Sequence, residues 1–235
     1  MNGNGLAYRL LLAVDIEAYS KRSTREQLRA QHMLTRALDL AAAGIGLDRA
    51  RWDKQVGGDG ELATLPEGVD PATVAGDFVI GLASELRELN RAEQDGRPLR
   101  VRLALHHGTL TAGPFGPAGD APIVVQRLLD SAPLRGVLKQ DPARELAYAV
   151  SDSLYANVVA TELCSLAPSA FRAVRIKAKG QVFKGHVYVG RPGTNDPAAR
   201  SKSTGRDRGP VPGGRQDGGG GPGGRPALLA AATAS

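Results

Sequence analysis

Apolar and polar positions change their period several times along the chain. Residues 8–14 (YRLLLAV) form an almost unbroken apolar run, the pattern of a strand buried on both faces. Ser23 and Glu26 make a Ser-x-x-Glu capping box, and Leu34, Ala37, Leu38 and Ala41 follow at helical spacing. Residues 49–56 and 61–65 flank Gly57-Gly58-Asp59-Gly60, which predicts a β-hairpin. Asp70 before Pro71 marks a helix start, with Val74, Phe78, Leu82, Leu86 and Leu89 on its inward face. Residues 99–105 alternate, predicting a strand with one solvated face. Next come a helix within 119–137, a strand at 146–150, and a helix capped by Ser151 with Leu154, Tyr155, Val158 and Val159 inward. Strands at 171–177 and 182–189 complete the pattern. The order βαββαβ, followed by further α and β elements, predicts an α+β fold: a ferredoxin-like sheet covered by helices on one face.

Composition narrows the classes. With 42% apolar residues over 235 positions, the chain can build a core, which excludes wholesale disorder. No apolar run reaches the roughly 18 to 20 residues of a membrane span. Residues 1–8 lack the basic segment and cleavage site of a secretory signal, so a cytoplasmic location with no membrane partner is expected. A single cysteine, Cys164, excludes an internal disulfide framework and a Cys-rich zinc site. The net charge is +6, but +4 of it falls from Gly190 onward. The remaining body carries only +2, which gives no sign of a basic face for nucleic acid. The expected organisation is therefore a domain over 1–189 and a disordered Gly/Pro/Arg-rich tail over 190–235, whose Ala-rich end reads as frayed rather than docked.

Two carboxylates carry the candidate chemistry. Asp15 ends the first apolar run, and Asp59 sits in the Gly57–Gly60 turn. In a βαββ unit these elements are neighbours, so the two acids can meet. Two hard oxygen donors with sites left for phosphate suit one or two Mg²⁺ ions. The plainer reading is that Asp15 caps a turn and Asp59 suits a type I′ hairpin. An acid flanked by Val14 and Ile16, however, needs a partner. Both acids fall at element ends, so replacing either is expected to leave the fold intact. His106 and His107 are adjacent on a strand, point to opposite faces and cannot share one ion. Trp52 reads as packing in preference to a wall for a nucleotide base, and Cys164 as a small buried hydrophobe.

Ala13-Val-Asp-Ile-Glu-Ala-Tyr-Ser20, Gly57-Gly-Asp-Gly-Glu-Leu-Ala63 and Arg102-Leu-Ala-Leu-His-His-Gly108 together resemble the catalytic domain of class III nucleotidyl (adenylate/guanylate) cyclases. So do Ala118-Gly119 leading into Gln126-Arg-Leu-Leu129, and Val150-Ser-Asp-Ser-Leu-Tyr155; the landmarks keep the family's order over roughly 8–189. The resemblance implies that Asp15 and Asp59 bind two Mg²⁺ or Mn²⁺ ions per site, with Ile16 lending its carbonyl. It places Arg127 on the arginine that stabilises the reacting triphosphate and Lys179 on a late phosphate-contacting lysine. The implied substrate is a nucleoside triphosphate, cyclised to a 3′,5′-cyclic nucleotide and pyrophosphate. The implied assembly is a head-to-tail homodimer, with metals on one subunit and the arginine on the other.

Some positions depart from the family pattern. Ile123 stands where the family keeps an asparagine, one helical turn before Arg127. The base-selecting lysine falls on Gln55, beside Lys54, and its acidic counterpart falls near Gly116, with Asp120 close by. These departures leave the base open. They also sustain an alternative: a catalytically inactive cyclase-homology module that binds nucleotide or dimerises and acts on a regulatory protein partner. Gly57-Gly-Asp-Gly-Glu61 also looks like the signature turn of diguanylate cyclases, but no Glu-Phe pair follows Asp59, and the 13–20 segment fits class III better.

Overall fold

The structure is a computed structural model that describes residues 5–93 and 96–191. Beyond Arg191, the expected tail lies outside the described residues. The first apolar run forms β1 (Ala7–Ile16), buried continuously from Leu10. Ser23 then starts α1 (Thr24–Gly44): its hydroxyl accepts from the Glu26 amide, and the Glu26 carboxylate accepts from the Ser23 amide at 2.8 Å. That reciprocal cap stabilises the helix start by about 1 kcal/mol. The hairpin is β2 (Asp53–Val56) and β3 (Gly60–Thr64); residues 49–51, expected as strand, form a 3₁₀ turn capped by Asp48.

Asp70 caps α2 (Pro71–Thr73), which runs through a π-helical turn (Val74–Phe78) into α3 (Val79–Ala92). Within that wider turn the Ala75 carbonyl accepts from the buried Tyr148 hydroxyl at 3.1 Å. β4 (Val101–Gly113) and β5 (Gly116–Ala118) follow. The single helix expected within 119–137 is two, α4 (Asp120–Leu129) and α5 (Ala132–Gln140). Ser131 interrupts it, accepting from the Leu134 amide as a fresh N-cap, with Pro133 in the new first turn. β6 (Leu146–Ser151), α6 (Asp152–Asn157), β7 (Phe171–Ala178) and β8 (Gln181–Tyr188) complete the element order.

The strands form a sheet in the order β2-β3-β1-β4-β6-β8-β7, with β5 paired to β4. Its pairings are antiparallel except β4 with β6. The α+β class is as expected, but the helices are not confined to one face. Leu10, Leu12, Val14 and Ile16 share a core with α1 and α3, while Leu11 and Ala13 share a second core with α4 and α5. Consecutive strand residues point to opposite faces, so a strand apolar at every position must be covered twice. Among the described residues, no helix is long and apolar enough to cross a membrane.

Candidate functional site

The site grows from the end of β1. Asp15 pairs with Gly60 of β3 on one side and with Arg102 of β4 on the other. The Ile16 amide donates to the Asp59 carbonyl at 2.7 Å, which fastens the hairpin turn to the strand end. Gly60 makes this approach feasible, since a Cβ there would lie 1.9 Å from the Val14 carbonyl oxygen. The glycine serves close contact rather than turn shape. None of Gly57, Gly58, Asp59 or Gly60 has positive φ, so the type I′ turn of the plainer reading does not form.

Asp15 and Asp59 thereby line one cavity of about 470 Å³. Gln55, Glu61, Gln126 and Asp130 line it as well. Burial pushes the Asp15 carboxyl up to about 6 against the pull of the Arg102 guanidinium, and the charges of Asp59 and Asp130 add to the rise. Arg102 grips Asp15 through both nitrogen–oxygen pairs, Nε to Oδ1 at 2.8 Å and Nη2 to Oδ2. Asp15 is therefore not a free strand end, and replacing it would leave a half-buried guanidinium without its carboxylate. The expectation that its loss leaves the fold untouched is corrected on that ground.

Gln55 faces the cavity and also donates to the Phe115 carbonyl, whereas Lys54 is exposed and outside the lining. Asp120 is exposed in the first turn of α4, after Gly119 at φ +124°. Arg127 is half-buried on α4, and Lys179 is exposed in the β7–β8 turn at φ 48°. Neither lines this cavity. Arg102 and Gln126 stand in the family landmarks without a site role assigned to them, and Asp130 carries no sequence signal. The alternation over 99–105 marked Arg102 only as solvated, and its partner lies 87 positions away.

A Mg²⁺ ion is commonly held by one or two carboxylates and completed by water and substrate phosphate. Among the described residues, no group of three or more His, Cys, Asp or Glu is poised around a single ion. Asp15 and Asp59 lining one cavity of about 470 Å³, with room for phosphate, fit the two-carboxylate arrangement. The remaining candidates are structural. His106 Nδ1 lies 2.8 Å from Ser151 Oγ, and His107 stacks on Tyr8 at 4.2 Å. Trp52 packs tilted against Phe78 at 5.9 Å and buries all but 4% of its surface.

The sequence matches no protein-family model and no curated protein. Solved structures do resemble the fold. The guanylyl cyclase Cya2 superposes with TM-score 0.57 at 12% identity, over 83% of this chain and 98% of that one. An adenylate/guanylate cyclase/hydrolase from Silicibacter pomeroyi gives 0.56 at 18% identity, over 79% and 98%. The non-canonical dimeric guanylyl cyclase domain of a RhoGC fusion protein from the aquatic fungus Blastocladiella emersonii gives 0.52 at 18%, over 80% and 99%. The chain has the fold of the class III nucleotidyl cyclase catalytic domain.

Proposed function

We propose that this chain is a nucleotidyl cyclase, converting a nucleoside triphosphate into a 3′,5′-cyclic nucleotide and pyrophosphate in a homodimer. The observation that carries this reading is that Asp15, at the end of β1, and Asp59, in the hairpin turn, line the same cavity. The two carboxylates, with the Ile16 carbonyl, would hold two Mg²⁺ or Mn²⁺ ions. Such ions supply charge neutralisation of the triphosphate and activation of the ribose 3′-hydroxyl.

The chain's own contribution is placement. The cavity would seat the triphosphate so that the 3′-oxygen lies in line with the α-phosphorus; the 3′-hydroxyl gives up its proton to solvent water, and the new oxygen–phosphorus bond forms as the bond to the β-phosphate bridging oxygen breaks. Gln55 offers an amide to the base edge. Arg127 and Lys179 lie outside the lining in their own subunit, so they would reach the leaving pyrophosphate from a second copy. Exposed apolar side chains support such an assembly: Phe115 at the β4–β5 hairpin is 94% exposed and Val56 on β2 is 75% exposed. The dimeric B. emersonii domain shares the fold.

One observation favours the inactive module instead. Ile123 is 47% exposed on α4 and offers no hydrogen bond where the family keeps an asparagine. Incubating the purified chain with each of the four nucleoside triphosphates and Mn²⁺ separates the two readings. A cyclic product from at least one triphosphate is expected of the enzyme; nucleotide binding without turnover would select the module acting on a protein partner.

A further inference from the structure

Each acid that lines the cavity except one is paired with an arginine. Glu61 is held by Arg49 at 2.7 Å, Asp130 by Arg135 at 3.2 Å, and Asp15 by both arms of Arg102. Among the described residues, no arginine or lysine forms an ion pair with Asp59. The Asp15–Arg102 pair is largely buried, with side chains 12% and 14% exposed. Its geometry follows from the sheet: the two residues are directly opposed in the β1–β4 register, so both side chains leave the same face. Asp15 lines the cavity and Arg102 does not, while the guanidinium holds both carboxylate oxygens. Each Asp15 oxygen therefore gives one lone pair to Arg102 and keeps another.

We infer that Arg102 is a built-in counter-ion of the cation site, holding Asp15 when no divalent ion is present and competing with the ion when one arrives. The inference rests on the metal reading above. Its physical basis is that a positive charge bonded to both oxygens of one ligand repels a divalent ion from that ligand. The same charge keeps the empty site from collecting several unpaired carboxylates in a partly buried pocket. Arg102 thus lowers cation affinity in exchange for a site that stays folded when vacant.

The test is Mn²⁺ affinity, read from the paramagnetic resonance signal of free Mn²⁺ with the full chain and no nucleotide. Arg102→Gln keeps an amide beside Asp15 and removes the charge; it should bind Mn²⁺ about tenfold more tightly. Arg102→Lys keeps the charge and should stay within about twofold of wild type. Mn²⁺ should also raise the melting temperature of Arg102→Gln more than that of wild type. Equal or weaker binding by Arg102→Gln overturns the inference. Should that variant not fold, Asp15→Asn is compared with the double variant Asp15→Asn/Arg102→Gln. The double variant is expected to bind about tenfold more tightly, because the lone guanidinium repels the ion at Asp59; equal binding again overturns the inference. If wild type shows no saturable Mn²⁺ binding, or Asp59→Ala binds as wild type does, the metal reading itself fails and takes the Arg102 role with it.

Discussion

On one face of the sheet, Leu10, Leu12, Val14 and Ile16 meet Phe78, Leu82 and Trp52; on the other, Ala13, Ala104, Ala147 and Ala149 lie beneath α4 and α5. The first face is thick, aliphatic and aromatic. The second mixes alanines with Leu11, Leu62, Ile176 and Val187, and the alanines let α4 settle close to β1 and β4. That closeness brings Gln126 and Asp130 to the cavity where Asp15 and Asp59 meet. One face supplies most of the burial that holds the chain together, and the thinner face carries charge at its end. Stability and chemistry are thus separated across a single sheet, and Asp15 is the residue where they touch.

The sharpest way to break this comparison is at Asp59. It is exposed in a turn, so Asp59→Ala should lower cyclase turnover by at least about a thousandfold. Chemical denaturation should place its stability within about 0.5 kcal/mol of wild type. Asp15→Ala should abolish turnover too but also cost about 3 kcal/mol, because it leaves the half-buried Arg102 without its carboxylate. Identical stabilities for the two variants would deny that the acids sit in different environments. On the thick face, Leu12→Ala should cost about 3 kcal/mol through the void it leaves. On the thin face the opposite change should hurt: Ala104→Leu forces α4 outward and should cost about 2 kcal/mol, with a loss of turnover that Leu12→Ala does not share.

The smallest effect is a pH dependence. Burial pushes the His106 imidazole down to about 4 from its ordinary 6.5, with His107 adding to the shift. The unfolded chain therefore binds this proton first as pH falls. The contribution of neutral His106 to stability is complete above about 6.5 and is lost on the way down to about 4. Melting temperatures between pH 7.5 and 4.5 should fall less steeply for His106→Gln than for wild type, and parallel curves would contradict the assignment.

Local signals made much of the fold legible in the sequence. The Ser23 cap, the Asp70-Pro71 start and the unbroken run of β1 each act within a few residues, so their patterns could be read directly. The meeting of Asp15 and Asp59 was also within reach, because a hairpin following a βα unit folds beside the first strand. Arg102 escaped because its role depends on a cross-strand register joining residues 87 positions apart. An Arg-x-Arg alternation gives no hint of whether water or a carboxylate waits opposite. The division of α4 from α5 escaped for a different reason: Ser131 and Pro133 sit inside a run whose apolar spacing continues across the break. The second helical layer was implied by β1 itself, whose apolar residues occupy both parities and so need cover on both faces.

The central claim is that divalent ions are held between the end of β1 and the β2–β3 turn. Crystals grown with Mn²⁺ and a non-hydrolysable nucleoside triphosphate analogue, measured at a wavelength where manganese scatters anomalously, test it most directly. An anomalous peak touching both the Asp15 and Asp59 carboxylates is the predicted result; bound nucleotide with no manganese at either acid would contradict it.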